Sequence, residues 1–227
     1  LKGKGKTPTS VDPPIALQTN DGKWRSEKAW PPADATSYSA KLKSGSYTDD
    51  TLNNGTADSF GGTLGEGIWT FSPPVKHETR FAGVPRLTFT QHSDVQNANL
   101  TAAIYDVDAQ NNATLISRGT FLLAGTGSNA FDLYGNEWVL PAGHRLGVLI
   151  SSSHAEWWQH VPTFQDVNVD TASMRMSFLR CKRTKTIQGA PSIFLENYLE
   201  AAPFEVDAAT VQAGTDPAFP LPPALSS

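Results

Sequence analysis

Four pieces of the stretch Phe81–Ile150 decide the fold: F-A-G-V-P-R-L-T-F (81–89), A-A-I-Y-D-V-D (102–108), I-S-R-G-T (116–120) and L-P-A-G-H-R-L-G-V-L-I (140–150). Each is an apolar or alternating run closed by Gly, Pro, Asp or Asn, which is the grammar of antiparallel strands in a β-sandwich. Working outward, Thr36–Lys43 alternates cleanly, with Thr36, Tyr38, Ala40 and Leu42 on one face and Ser37, Ser39, Lys41 and Lys43 on the other. That period of two predicts a half-buried strand. Further strands are read near 67–71, 77–82, 87–92, 100–107, 113–123, 131–133 with 138–140, 145–152 and 167–179. About eight or nine short strands predict an all-β fold, a jelly-roll β-sandwich whose strand order the pattern leaves open.

Between these lie punctuating segments. Residues 1–14 are Lys/Gly/Pro-rich and read as a linker or extended arm, leaving 15–227 as a single domain. Two tryptophans, Trp24 and Trp30, bracket a short charged patch that paired prolines then stop, as in an anchored extended segment. Residues 44–67 read as one long polar, glycine-laden loop. The helical candidate is Ser192–Ala202, and the proline-rich tail from Thr215 is expected to lie extended over the surface.

Composition narrows the partners. A chain of 227 residues buries about 70% of its unfolded surface, enough for one core. A formal charge of −4 gives no electrostatic case for nucleic acid or an anionic membrane, and the apolar runs are too short to span a bilayer. The single cysteine, Cys181, rules out an internal disulfide. Low lysine content and an Asn/Thr/Ser/Gly-rich surface lean toward an exported protein, with sequons at Asn54, Asn99 and Asn112. The start at Leu1, without an initiator Met, suits a fragment or processed product.

Catalytic and metal motifs are sparse. No serine sits in G-x-S-x-G, so the nucleophile elbow of an α/β-hydrolase is missing. His154 and His160 share a loop with Glu156, but packing against Trp157 and Trp158 accounts for them better than zinc does, and no metal or other cofactor is expected. Asp106-x-Asp108 resembles the opening of a calcium loop, yet Asn111 replaces the turn glycine and Ser117 the closing Glu. A hairpin tip capped by Asx side chains explains it. Gly61, Gly62, Gly65 and Gly67 follow no buried strand and open no helix, so no phosphate cradle is read there. The aromatic residues carry the positive signal. Trp69 or the Trp157-Trp158 pair with His160 could stack on a ligand, and a carbohydrate-binding module is the alternative function on that basis, but packing in the core or between domains is the preferred reading of these tryptophans.

The wording of these segments resembles the C-terminal non-catalytic β-domain of the X-Pro dipeptidyl-peptidase and cocaine-esterase group of serine hydrolases. The resemblance rests on W-R-S-E-x-A-W-P, F-S-P-P, R-F-A-G-V-P-R-L-T-F, I-Y-D-V-D, I-S-R-G, L-P-A-G-H-R-L-G-V-L-I-S-S and I-Q-G-A-P-S, in that order. It implies a jelly roll similar to galactose-binding domains, paired with an α/β-hydrolase domain of the same polypeptide that holds the catalytic Ser, Asp and His. No catalytic residue is therefore expected here, and His144 in the G-H-R-L turn is not the catalytic histidine. The resemblance further implies that the jelly roll braces the hydrolase and closes one side of its pocket. The segment before the G-V-P strand would face that pocket, with Phe60, Trp69 and Phe71 as candidates. A homo-oligomer stays open.

Overall fold

The computed structural model describes residues 14–50, 66–152, 160–200 and 204–226. Its strands are β1 (Ile15–Gln18), β2 (Trp24–Glu27), β3 (Ala35–Leu42), β4 (Gly45–Thr48), β5 (Ile68–Phe71), β6 (Thr79–Gly83) and β7 (Arg86–Gln91). They continue with β8 (Gln96–Val107), β9 (Asn112–Ala124), β10 (Gly127–Asp132), β11 (Asn136–Leu140), β12 (Arg145–Ser151), β13 (Asp166–Leu179) and β14 (Phe204–Glu205). Two helices, α1 (Ile193–Glu200) and α2 (Ala208–Gly214), lie near the C-terminus. The fold is an all-β sandwich of two antiparallel sheets, with a separate β1–β2 hairpin. The larger sheet runs β10-β7-β13-β6-β11, with β3 and β4 also paired to β13. The smaller runs β14-β9-β8-β12-β5. From β5 to β13 the chain passes repeatedly from one sheet to the other, as a jelly roll does.

Two hydrophobic periods report two environments. On β13, Met174, Met176 and Phe178 are buried while Arg175 is exposed, because the larger sheet keeps one face in water. Asp170 and Thr171 are both exposed, since a bulge between Val169 and Thr171 resets the alternation. By contrast, every residue from Ala98 to Val107 on β8 and from Leu146 to Ser151 on β12 is buried. The smaller sheet is covered on both faces. Leu100, Ile104, Leu146 and Val148 face the larger sheet's Phe81, Leu87, Met174 and Phe178 in the main core. Tyr105, Val107, Leu115 and Leu149 form a second core with Phe204, Val206 and Val211 of the C-terminal segment.

Short turns weld these elements. Ser72 N–H donates to Leu146 O at 2.9 Å, and Leu146 N–H returns to Ser72 Oγ at 3.0 Å. Val75 and the turn before β12 exchange two more backbone bonds, with Gly143 at φ +90°. At the other end of the chain, Trp24 Nε1 donates to Ala190 O at 2.9 Å and its ring packs on Gly189. The anchored segment expected at Trp24 is thus a strand of the β1–β2 hairpin, held by residues 187–190.

Three expectations change. The polar loop read over 44–67 contains β4, which pairs with β13; residues 51–65 of it lie outside the described residues. The tail is not simply superficial: Phe219 is buried in the main core, and Ser226 bridges Cys181. Helix α2 had no expected counterpart. Gly67, where β5 begins, has φ +143°, and a Cβ there would lie 2.5 Å from Ile150 O. Gly67→Ala is expected to cost about 2–3 kcal/mol, because a backbone atom cannot move aside as a side chain can. A lower urea midpoint at unchanged m checks this.

Candidate functional site

One end of the sandwich is organised around Asp49, the residue after β4. Its side chain is fully buried. Oδ1 accepts from His160 Nε2 at 2.8 Å and from Asn99 N–H at 3.2 Å. Oδ2 accepts from Thr163 Oγ1 at 2.7 Å and from Thr163 N–H at 3.1 Å. The backbone joins in, with Asp49 N–H donating to Gln165 O and Phe164 N–H to Asp49 O, each at 2.9 Å. Burial pushes the Asp49 carboxyl up, but the bonds from His160 and Thr163, the His160 charge and the Asn99 N–H together hold it below the ordinary value.

This hub gathers connections far apart in sequence. Ser152 Oγ donates to Asp50 O at 3.0 Å, so the chain leaving β4 meets the chain leaving β12. The segments 51–65 and 153–159 therefore each begin here. Phe60, Trp157 and Trp158, three of the candidates read from sequence, fall within those segments and lie outside the described residues. His160 is described: its side chain is 4% exposed, and it is a buried partner of Asp49, not a surface group. With Nε2 donating to Asp49, a neutral ring leaves Nδ1 as an acceptor, and that atom is buried without a partner. On the rim, Val161 and Phe164 are 75% and 71% exposed. Phe164 has φ +55°, a conformation unusual for a bulky side chain, and its N–H bond to Asp49 holds it there.

An Asp–His pair is two parts of a hydrolytic triad, but the third must be a nucleophile hydrogen-bonded to the imidazole. No described residue bonds His160 Nδ1, and the bonds of Asp49 to His160, Thr163 and Phe164 tie residues 160–165 to the end of β4. A second pair, His144 Nδ1 to Asp106 Oδ1 at 2.7 Å, is locked similarly by Trp138 Nε1, which donates to Asp106 Oδ2 at 2.9 Å. Burial raises the Asp106 carboxyl against these bonds. Asp106 is thus engaged in the core, and Asp108 caps the hairpin by accepting from Gln110 and Asn112 N–H, both at 2.8 Å. Among the described residues, no group of three or more His, Cys, Asp or Glu could hold a metal ion. No described helix is long and apolar enough to cross a membrane.

Trp69 and Phe71, candidates for the side facing the pocket or the hydrolase domain, are buried within this chain. They are 5% and 0% exposed, stacked on each other at 4.8 Å and 11°, with Tyr105 and Phe204 against Trp69. The chain's own C-terminal segment covers them, so Trp69 offers no free ring face to a sugar. Of the sequons, Asn99 is buried and Asn112 Nδ2 donates to Asp108 at 2.9 Å.

Comparison with known proteins fits this geometry. The model of the family described as the X-Pro dipeptidyl-peptidase C-terminal non-catalytic domain matches residues 10–124, just over half of the chain. The chain belongs to this family. No curated protein matches the sequence. Among solved structures, an aminopeptidase from a marine sediment Thaumarchaeota archaeon is similar at TM-score 0.54 and 13% identity, over 73% of this chain and 38% of that one. An α-amino acid ester hydrolase is similar at TM-score 0.53 and 15% identity, over 78% and 42%. A CocE/NonD family hydrolase from Staphylococcus aureus is similar at TM-score 0.54 and 10% identity, over 78% and 43%. At such identities the likeness concerns the fold, and this chain spans roughly two fifths of each.

The Asp49 hub had no local signal in sequence. It sits in Y-T-D-D-T, which reads as loop, and its partner His160 is 111 positions away.

Proposed function

We propose that this chain is the accessory domain of an α/β-hydrolase-type serine hydrolase acting on X-Pro peptides or esters. In this reading it braces the hydrolase domain and forms one wall of its substrate pocket. Family membership is the observation that carries the reading. The Asp49 end is the face we assign to the pocket side. It joins the hydrogen-bonded Asp49 base to exposed apolar side chains, Val161 and Phe164, and to the starts of the segments bearing Phe60, Trp157 and Trp158. Such a wall contributes by excluding water and orienting substrate, while bond making resides in the hydrolase domain.

The pure chain is expected to turn over neither a nitrophenyl ester nor an X-Pro nitroanilide, and turnover by it would overturn the reading. In a polypeptide that also carries the hydrolase region, Phe164→Asp is expected to lower kcat/KM about tenfold. The same substitution should leave the isolated chain's urea midpoint unchanged, because the side chain is exposed. An unaltered kcat/KM would show that this face lies elsewhere.

A further inference from the structure

Away from the Asp49 end, the hairpin strand β2 carries Arg25 into a cluster of three guanidiniums. Arg25 is engaged through all three nitrogens: Nε donates to Glu137 Oε1 at 2.7 Å, Nη2 pairs with Glu137 Oε2, and Nη1 pairs with Glu27. Arg183 holds Glu27 through Nε at 2.6 Å and Asp34 through Nη1 at 3.0 Å and Nη2 at 2.5 Å. Arg80 is different. Its side chain is only 12% exposed, yet it makes a single hydrogen bond, from Nε to Glu78 at 3.3 Å. Its Nη1 meets Glu137 only as a loose ion pair at 3.8 Å, beyond hydrogen-bond reach.

These side chains border a cavity of about 210 Å³ whose lining includes Arg25, Arg80, Arg183, Lys23 and Lys185. Among the described residues, Asp21 is the only carboxylate on that lining, and it is paired with Lys23 at 2.8 Å. Glu27, Asp34, Glu78 and Glu137 all lie off the lining. The carboxylates therefore fix Arg25 and Arg183 from outside the cavity, while the more loosely held Arg80 and the exposed Lys185 remain to serve it. A loosely held guanidinium bordering a cavity favours an occupant that can accept from its spare donors. Burial, with the neighbouring Arg183 and Arg80 charges adding to it, holds the Arg25 guanidinium below its ordinary value despite Glu27, so an anion in the cavity would relieve the crowding.

We propose that this cavity binds a compact tetrahedral oxyanion of the phosphate class, either free phosphate or a phosphate monoester. The planar N–H fork of Arg80 with an ammonium beside it suits an ion with several acceptor oxygens better than a single carboxylate. The inference does not depend on the accessory-domain reading. Melting of the full chain is measured in inorganic phosphate, glycerol phosphate and acetate, each against chloride at equal ionic strength. Inorganic phosphate at about ten times its Kd is expected to raise Tm by about 3–5 °C, and acetate to leave it unchanged. A matching shift with glycerol phosphate makes a monoester an occupant; its absence restricts the site to the free ion. By calorimetric titration, exposed Lys185→Ala, which spares the fold, is expected to weaken phosphate about three- to tenfold, and Arg80→Gln at least tenfold. Equal shifts in acetate and phosphate, no saturable binding, or unchanged affinity in either variant would overturn the proposal.

Discussion

Asp49→Ala is expected to lower stability by about 3–5 kcal/mol, since it removes the carboxylate of a buried pair and strands its partners. The His160 and Thr163 donors and the Asn99 N–H all lose their acceptor at once, in a place water does not reach. Asp49→Asn keeps the shape and one acceptor oxygen, so about half that loss is expected. The two variants also differ from the native chain in their response to acid. The native carboxyl is held below the ordinary value of 3.8, so the unfolded chain binds more protons through that window. The stability contributed by ionised Asp49 is therefore complete above about pH 4 and is lost as pH falls through the native value. Urea midpoints of the native chain and Asp49→Asn should converge toward pH 2 and separate at neutral pH. A gap that stays constant with pH would mean that the charge of Asp49 contributes nothing.

Phe71→Ala is the second large effect, also about 3–5 kcal/mol, from a fully buried ring with little room to collapse around. Its consequence should be local before it is global. Phe71 stacks on Trp69, contacts Gly214, bridges Thr215 and accepts from Asp216 N–H at 2.9 Å. Removing the ring undermines the whole segment from β14 to residue 216, so limited proteolysis should cut there first, with the sandwich itself still resistant. The complementary variant Gly214→Ala would place a Cβ 2.6 Å from the Phe71 ring and is expected to cost about 1–3 kcal/mol. If Phe71→Ala loses stability without any new cleavage in this segment, the segment is held by something other than this ring.

Fold class was readable because the two sheets leave different marks. Alternation on β3 and β13 records a sheet with one wet face, and unbroken apolar runs on β8 and β12 record one covered twice. Elements with little apolar content went unread. Strand β4 is G-S-Y-T, with Tyr47 its only large apolar residue, and α2 buries only Val211 and Gly214. Helix α1 was legible from its flanking proline and compact apolar content, within the expected 192–202. Trp69 and Phe71 show the limit in another way. Their shared parity placed them correctly on one face of β5, but the cover on that face comes from residues 204–214, which no local pattern announces. The site was harder still, because Asp49, Asn99, His160 and Thr163 meet only through long-range pairing.

The placement of β13 bears on how the chain reaches this structure. It sits inside the larger sheet, yet its partners β3, β4, β6 and β7 all precede it along the polypeptide. During synthesis those four must wait, edges bare, until residue 179 has left the ribosome. Shorter nascent chains should accordingly depend on holding factors, and assembly should be abrupt once this one segment arrives.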